Sequence, residues 1–281
     1  MREIEAREIT KTVSRLFDEA CHYLPEDVVK VIKEARETEE SPVAREVLGK
    51  ILENIDIAAN EQIPLCQDTG DAIVFLELGQ DVHIAGGDLY SAINNGVRQG
   101  YDEGYLRKSM VSQPFSARVN TKDNTPAIIY TDIVPGDKLK IIAKPKGGGA
   151  ENMSRLAMLK PAQGRQGVID FVVKTVDEAG SNPCPPVIVG IGIGGTVEKC
   201  VQLAKRSLLR EVGKPSPDTE VAELERDIFQ KVNKLGIGPM GYGGRTTALA
   251  VHVEVFPSHI ASLPVAVNMQ CWCARHKEAI L

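Results

Sequence analysis

The sequence predicts a mixed α/β fold, in which a helical N-terminal region is followed by mixed β-sheets flanked by helices. Apolar residues recur at helical spacing between residues 2 and 58, later apolar runs of five to eight residues are typical of buried strands, and helical patterns alternate with those runs. The 281 residues correspond to about two average domains. Because we find no linker and no internal repeat, we expect a single domain, residues 1–281, with two lobes around a site as the alternative arrangement.

The predicted elements follow in chain order. In the N-terminal third, the spacing of Ile9, Val13 and Phe17 is typical of a helix, and breaks are expected near Pro25 and Pro42. Strands are then predicted at 72–78, 127–133, 138–143, 187–191, 248–255 and 265–269. Helices are predicted near 86–104, 150–160, 161–179, 196–212 and 218–234.

Charge and cysteine content exclude several classes of protein. The 33 basic and 38 acidic residues give a net charge of −5 without any basic block, so we expect no nucleic-acid partner. The first ten residues alternate charges where a secretion signal needs an apolar core, and we therefore expect a cytoplasmic protein. Six cysteines are too few for a disulfide framework in a chain of this length and indicate free thiols or metal ligands.

Two stretches, residues 179–197 and 255–274, contain no Asp, Glu, Lys or Arg. Their length approaches that of a membrane span, but prolines in both, and five glycines in the first, would break a spanning helix. We therefore expect buried, irregular protein interior here, and no membrane partner.

Three cysteines have surroundings that suit a metal ligand. Cys184 lies between two prolines, which fix the local backbone, Cys66 precedes a polar run, and Cys271 lies in the second uncharged stretch. Their separations of 118 and 87 residues exclude a zinc finger and a ferredoxin-like run. Two interpretations stay open, namely an iron–sulfur cluster with one iron available to substrate, or buried and inert thiols. Cys21 and Cys200 lie at helical spacing among apolar residues and are interpreted as core packing.

Two residues are candidates for proton transfer. Asp68, next to Gln67 and two residues after Cys66, could exchange protons with substrate or water, and the alternative is an Asx turn before a strand. His259 lies in the second uncharged stretch, where a buried core histidine is the alternative.

Anionic substrates could be bound by glycine clusters or by cationic side chains. The clusters at 147–149 and 190–195 lead into helical patterns, whose first N–H groups suit carboxylate or phosphate oxygens, but the dinucleotide fingerprint is incomplete. Four basic residues are candidates, and for each of them a solvated surface charge is the alternative: Arg107 in Gly-Tyr-Leu-Arg-Lys-Ser, Lys144 and Lys146 before the triple glycine, and Arg245 after Gly244.

Seven motifs in order resemble the class I fumarase and tartrate dehydratase α-type family over nearly the whole chain. They are Cys66-Gln-Asp-Thr-Gly, Gly-Tyr-Leu-Arg107-Lys-Ser, Lys146-Gly-Gly-Gly-Ala-Glu-Asn, Asn-Pro-Cys184-Pro-Pro, Gly-Ile-Gly-Gly-Thr196, His259-Ile-Ala-Ser and Asn-Met-Gln-Cys271. The resemblance is closest to the α subunit of a two-subunit class I fumarate hydratase.

The resemblance implies a 4Fe-4S cluster held by Cys66, Cys184 and Cys271, reversible hydration of fumarate to (S)-malate, and a separate β subunit in a hetero-oligomer. It also implies that Gln67, Arg107 and Gly149 bind the dicarboxylate substrate. By the same carry-over, Asp68 and His259 are catalytic, with His259 paired to Asp68 as the acid that handles the leaving hydroxyl.

Two alternatives accompany these expectations. L-tartrate dehydratase belongs to the same family, and a non-catalytic anion-binding module could be built on the glycine loops. One departure from the family pattern is Cys273, where a small residue without a thiol is expected. Cys273 would face a cluster beside Cys271 if the two lay on one strand, because residues two apart on a strand share a face.

Overall fold

The computed structural model describes residues 2–281 and contains both α-helices and β-strands. The strands are β1 Arg2–Glu5, β2 Asp71–Gly79, β3 Val82–Ala85, β4 Ile128–Val134, β5 Leu139–Lys146, β6 Arg155–Leu159, β7 Val187–Gly194, β8 Ala248–Phe256, β9 Leu263–Gln270 and β10 Lys277–Ile280. The helices are α1 Ala6–His22, α2 Glu26–Thr38, α3 Pro42–Glu61, α4 Leu89–Glu103, α5 Gly148–Glu151, α6 Gly164–Ala179, α7 Val197–Ser207 and α8 Thr219–Asn233. The α/β class predicted from the sequence is confirmed.

The chain divides into two compact units. The first unit consists of the chain up to Pro25, residues 55–148 and residues 275–281, and the second consists of residues 26–54 and 149–274. Each unit is therefore assembled from separated segments of sequence. This is why no linker is visible in the sequence.

In the first unit, α1 packs against a sheet of order β10-β5-β2-β4, and α4 packs on α1 and joins the same hydrophobic core. Strand β2 is parallel to β4 and antiparallel to β5, and the short strands β1 and β3 pair separately. Gly96 and Gly100 of α4 let the helices approach closely, since a Cβ on them would lie 2.6 and 2.7 Å from carbonyl oxygens of α1. The apolar face of α1 is thereby buried, as its helical spacing predicts.

In the second unit, a sheet of order β6-β9-β7-β8 is packed on both faces by helices. The odd-numbered residues of β7, such as Val189 and Ile191, join a core with α6 and α8. On the other face α7 lies directly over Gly190 and Gly192, where a Cβ would collide with its backbone. These glycines of the 190–195 cluster therefore serve close helix packing.

Several sequence predictions need correction. The helix expected near 150–160 is wrong, because the four-residue α5 ends at Glu151 and β6 follows, paired antiparallel with β9. Leu, Ala and Met favour helices, but pairing to a neighbouring strand overrides that local preference. The short strands β1, β3 and β10 were not predicted.

The expectation of buried, irregular interior for the two uncharged stretches is correct only in part, because each contributes a buried but regular strand of the second unit and residues 255–261 are exposed. All of β7 and nearly all of β9 are buried. Within residues 2–281, no helix combines the length and the apolar character that crossing a bilayer requires.

Candidate active site

The loop that carries Cys66 connects α3 to β2 and is called here the Cys66 loop, residues 62–70. It ends at Gly70, whose φ of +77° lies in the left-handed region. A Cβ at this position would lie 2.5 Å from the backbone carbon of Lys146. Only glycine meets both conditions without strain, and its presence lets the loop enter β2 against β5.

Asp68 is the structural centre of the Cys66 loop. Its Oδ1 accepts a hydrogen bond from the Gly70 N–H at 3.0 Å and its Oδ2 accepts one from the Gly148 N–H at 2.8 Å. The Asp68 N–H donates to the sulfur of Cys66 at 3.4 Å. A half-buried thiol and a fixed carboxylate thus lie within one short loop.

The predicted substrate-binding residues of the first unit are exposed and near this loop. Gln67 projects beside Cys66, and the Thr69 hydroxyl donates to the backbone oxygen of Arg107 at 2.9 Å. The side chain of Arg107 is exposed. Lys144 and Lys146, in contrast, are fully buried, so the interpretation of these two as solvated surface charges is wrong.

Three buried residues that the sequence analysis missed hold the Cys66 loop in place. The Tyr101 hydroxyl lies 2.9 Å from the backbone oxygens of Thr69 and Gly70, and the Asn124 amide donates to Gly70 at 3.0 Å. The guanidinium of Arg275 donates to the backbone oxygen of Asp68. Arg275 is the first charged residue after the second uncharged stretch, and that position could have identified it from the sequence. No feature of the sequence distinguishes Asn124.

In the second unit, Cys184 lies in a loop before β7, called here the Cys184 loop, residues 180–186. Cys184 itself has a φ of +53°, and its N–H donates to Ser181 at 3.0 Å. The Met240 N–H donates to the backbone oxygen of Pro185 at 2.7 Å. Both prolines that flank Cys184 are buried while the cysteine is exposed, so the backbone presents the thiol outward.

The structure brings Cys271 to the same end of the sheet as Cys184. Cys271 directly follows β9, whose last residue, Gln270, pairs with Ile188 near the start of β7. The Trp272 N–H lies 3.4 Å from the backbone oxygen of Cys184. Gly149 also belongs to this end, because a Cβ on it would lie 3.5 Å from the backbone oxygen of Asn182.

Cys273 does not lie on a strand, because β9 ends at Gln270. Cys273 is 2% exposed, while Cys271 is half-buried. Cys271 and Cys273 are therefore not two residues of one strand, and a shared face does not follow from their spacing.

His259 lies at the other end of the second unit's sheet. It follows β8, which is parallel to β7, so the segment after β8 lies beyond the C-terminal end of β7 while Cys184 precedes its start. The eight residues of β7 span about 26 Å. The imidazole is exposed, which excludes the core-histidine alternative, and its Nδ1 accepts from the Ala261 N–H at 3.1 Å. Within this unit, His259 is not brought together with Cys184 and Cys271.

The remaining thiols differ from the three candidates. Burial raises the pKa of Cys21 to about 11 and also raises the pKa of Cys200, and both lie in hydrophobic cores. Their interpretation as core packing is confirmed. None of the six cysteines forms a disulfide.

The donor set fits an iron–sulfur cluster. Cys66, Cys184 and Cys271 are the cysteines with accessible thiols, and thiolates are the usual ligands of such clusters. Two of them accept hydrogen bonds from N–H groups, of Asp68 on Cys66 and of Gln270 on Cys271, as ligand thiolates commonly do. Cys66 belongs to the first unit, the other two belong to the second, and no group of three or more His, Cys, Asp or Glu side chains in residues 2–281 is arranged to hold a metal ion.

Comparison with known proteins agrees with the motifs. The family described as Fumarate hydratase (Fumerase) matches residues 10–280. The chain belongs to this family. It is 44% identical over 272 residues to a Methanocaldococcus jannaschii protein named "Putative L(+)-tartrate dehydratase subunit alpha", covering 95% of each chain.

A second relative supports the same placement. The L(+)-tartrate dehydratase subunit alpha of Escherichia coli strain UTI89 is 32% identical over 272 residues, covering 95% of this chain and 88% of that protein. The resemblance to the class I fumarase and tartrate dehydratase α-type family is confirmed, and the chain is a hydro-lyase of that family.

Proposed function

We propose that this chain is the α subunit of a 4Fe-4S hydro-lyase that hydrates fumarate reversibly to (S)-malate. The family match carries the reaction class, and the placement of Cys184 and Cys271 at one end of a sheet is the structural observation that supports the ligand set. The third ligand is Cys66, next to the proposed catalytic carboxylate. When bound, the cluster would supply an open iron that acts as a Lewis acid toward substrate oxygens.

The chain's own residues have distinct tasks in this proposal. Arg107 binds a substrate carboxylate, where a guanidinium can donate two parallel hydrogen bonds. The amide of Gln67 and the N–H of Gly149 donate to substrate oxygens, and such donors stabilise the negative charge that grows on a carboxylate when the adjacent carbon loses a proton.

Asp68 is proposed to move a proton at the hydroxyl that is added or lost. The N–H groups of Gly70 and Gly148 fix both carboxylate oxygens, so the group is held in one orientation before substrate arrives. Replacing Asp68 with Asn keeps one acceptor oxygen and removes proton exchange. We expect kcat to fall about 100-fold or more, since positioned acid–base groups contribute about that much.

His259 is proposed as the acid that pairs with Asp68, and its location calls for a separate test. Its exposed imidazole lies at the other end of the second unit's sheet from two of the proposed ligands. His259→Asn in the assembled enzyme is expected to lower kcat. An unchanged kcat and an unchanged pH–rate profile would remove His259 from the mechanism.

A separate β subunit is part of the proposal, because the relatives are named as α subunits. It would complete the substrate site, and we expect full activity only from the two-subunit assembly. The second candidate substrate is L(+)-tartrate, which the names of those relatives favour. Turnover of fumarate, malate and tartrate by the anaerobically assembled pair decides between them, and activity on tartrate alone would end the fumarase proposal.

Iron and sulfide analysis of the same preparation tests the cluster. We expect Cys66→Ser, Cys184→Ser and Cys271→Ser to lose iron and activity, while Cys200→Ser, a buried thiol away from the site, retains both. Exposure to air should inactivate the parent, because an open iron is accessible to oxidants. Iron-free anaerobic protein, with all three variants like the parent, would favour the anion-binding module instead.

A further inference from the structure

Gln270 contacts the proposed cluster ligand that follows it in the chain. It is the last residue of β9 and is 1% exposed. Its amide nitrogen Nε2 donates to the sulfur of Cys271 at 3.4 Å and to the backbone oxygen of Cys273 at 3.1 Å. One side chain therefore binds both the thiol and the backbone that follows it.

The orientation of this amide is determined by its partners. The backbone oxygen of Cys273 only accepts hydrogen bonds, so the group that faces it must be the NH₂ end of the amide. That nitrogen carries two hydrogens, and the second is available to the sulfur of Cys271. A flipped amide would place two oxygens against each other, which excludes the alternative assignment.

The other end of the amide has a cost. The Oε1 atom of Gln270 is buried and has no hydrogen-bond donor in the part of the chain that the structure describes. A buried polar atom without a partner destabilises the folded state, and an apolar side chain of similar shape would avoid this penalty. The hydrogen bonds that the amide nitrogen donates to Cys271 and Cys273 are therefore the reason to have glutamine at this position.

We infer that Gln270 is a positioning residue that tunes the cluster through Cys271, an inference that rests on the proposed 4Fe-4S function. A hydrogen bond to a thiolate ligand stabilises the more negative, reduced cluster more than the oxidised one. The N–H···S bond raises the reduction potential, and the second bond, to Cys273, keeps the chain after the ligand in place.

The test compares Gln270→Met with the parent in the anaerobically assembled two-subunit enzyme. Met has the length of Gln and no donor, so we expect the midpoint potential, measured by redox titration with spectroscopic detection, to become more negative. We also expect cluster loss to an iron chelator to be several-fold faster. Gln270→Glu also lacks the donor and adds negative charge, so its potential should fall further.

Val267→Ala is the matched control. Val267 lies on the same strand and is 1% exposed, so its truncation loosens the core without touching a donor to sulfur. We expect lower stability with an unchanged midpoint potential. This separates tuning of the cluster from a general packing defect.

A Gln270→Met enzyme with the potential of the parent would overturn the inference. If that variant does not fold, Gln270→Glu decides the question, and an unchanged potential there overturns the inference equally. Failure of the proposed function has a different signature, because the parent itself would then contain no iron or sulfide.

Discussion

The Cys66 loop and the Cys184 loop both present an accessible thiol, but they are fixed in different ways. In the first unit, side chains from distant positions hold the Cys66 loop, with Tyr101, Asn124 and Arg275 donating to its backbone oxygens. In the second unit, the Cys184 loop is held by backbone hydrogen bonds and by buried prolines on either side of the cysteine.

This difference teaches which substitutions each loop tolerates. Backbone hydrogen bonds do not depend on side-chain identity. The Cys184 loop should therefore depend on the prolines that fix its backbone conformation and on the segments that pack against it. The Cys66 loop should be sensitive to conservative changes of single polar groups. Four substitutions test this contrast.

Gly70→Ala should have the largest effect on stability. The new Cβ would meet the backbone of Lys146 at 2.5 Å, and backbone cannot move aside as a flexible side chain can. Overpacking combined with left-handed strain should lower the free energy of unfolding by about 4 kcal/mol. The measurement is urea unfolding of the isolated chain.

Gly136→Ala is its control. Gly136 also belongs to the first unit and has a φ of +106°, but a Cβ there meets nothing within 4 Å. We expect a loss of about 1 kcal/mol, from conformational strain alone. Equal losses in the two variants would show that the approach to Lys146 does not constrain the loop.

Glu39→Gln tests whether the second unit also relies on a side chain. Glu39 contacts the segment after Met240, and Met240 itself contacts the Cys184 loop. The Glu39 carboxylate accepts N–H groups of Arg245 and Thr246, and it thereby fixes the segment that leads from Met240 to β8. Neutralising this buried acceptor should cost about 3 kcal/mol. Glu40→Gln, an exposed neighbour paired with Arg245, should change stability by less than about 0.5 kcal/mol.

The effect of Glu39 should depend on pH. Burial raises the pKa of this carboxyl, but the N–H groups of Arg245, Thr246 and Ser41 outweigh it and lower the pKa below the ordinary value of 4.5. The stabilisation is therefore fully present above about pH 4.5 and is lost as the pH falls further. Urea unfolding at pH 7 and at pH 3 should show the parent approaching the Gln variant at the lower pH, and a constant difference would contradict this assignment.

The sequence allowed good prediction of what depends on local pattern. The buried strands β2, β7 and β9 and the helices α1, α6 and α8 follow from apolar spacing. The proposed ligands Cys66, Cys184 and Cys271 were identified from motifs, and the fold then placed the last two at one end of a sheet.

Contacts between distant segments could not be predicted. Arg275 and Asp68 are 207 positions apart, and Tyr101 is 31 positions from Gly70, so no spacing rule connects them. The position of His259 depends on β8 being parallel to β7, and strand order is a tertiary property. In the sequence, the glycine cluster that includes Gly190 and Gly192 suggests an anion site. The packing of α7 on these two glycines is a tertiary contact, which the sequence does not show.

Gly241→Ala probes the Cys184 loop in the way that Gly70→Ala probes the Cys66 loop, with a smaller expected effect. Gly241 has a φ of +80°, and a Cβ there would collide with the side chain of Ser181. The obstacle is the Cβ of Ser181, at 2.4 Å, and we expect a loss of about 2 kcal/mol in urea unfolding. Adding Ser181→Gly should recover about half of this, and no recovery would show that strain at Gly241 accounts for the whole effect.

Tyr101→Phe should give the smallest effect and the most specific one. It removes a hydroxyl that bonds the backbone oxygens of Thr69 and Gly70 and leaves a buried ring whose packing against Phe17 is unchanged. We expect a loss of about 1 kcal/mol together with faster amide hydrogen exchange in the Cys66 loop. Tyr90→Phe, which removes an exposed hydroxyl of the same unit, should leave both measurements unchanged. If amide exchange in the Cys66 loop of Tyr101→Phe keeps the rate of the parent, the Cys66 loop does not depend on this side-chain donor. The proposed difference between the Cys66 loop and the Cys184 loop would then be contradicted.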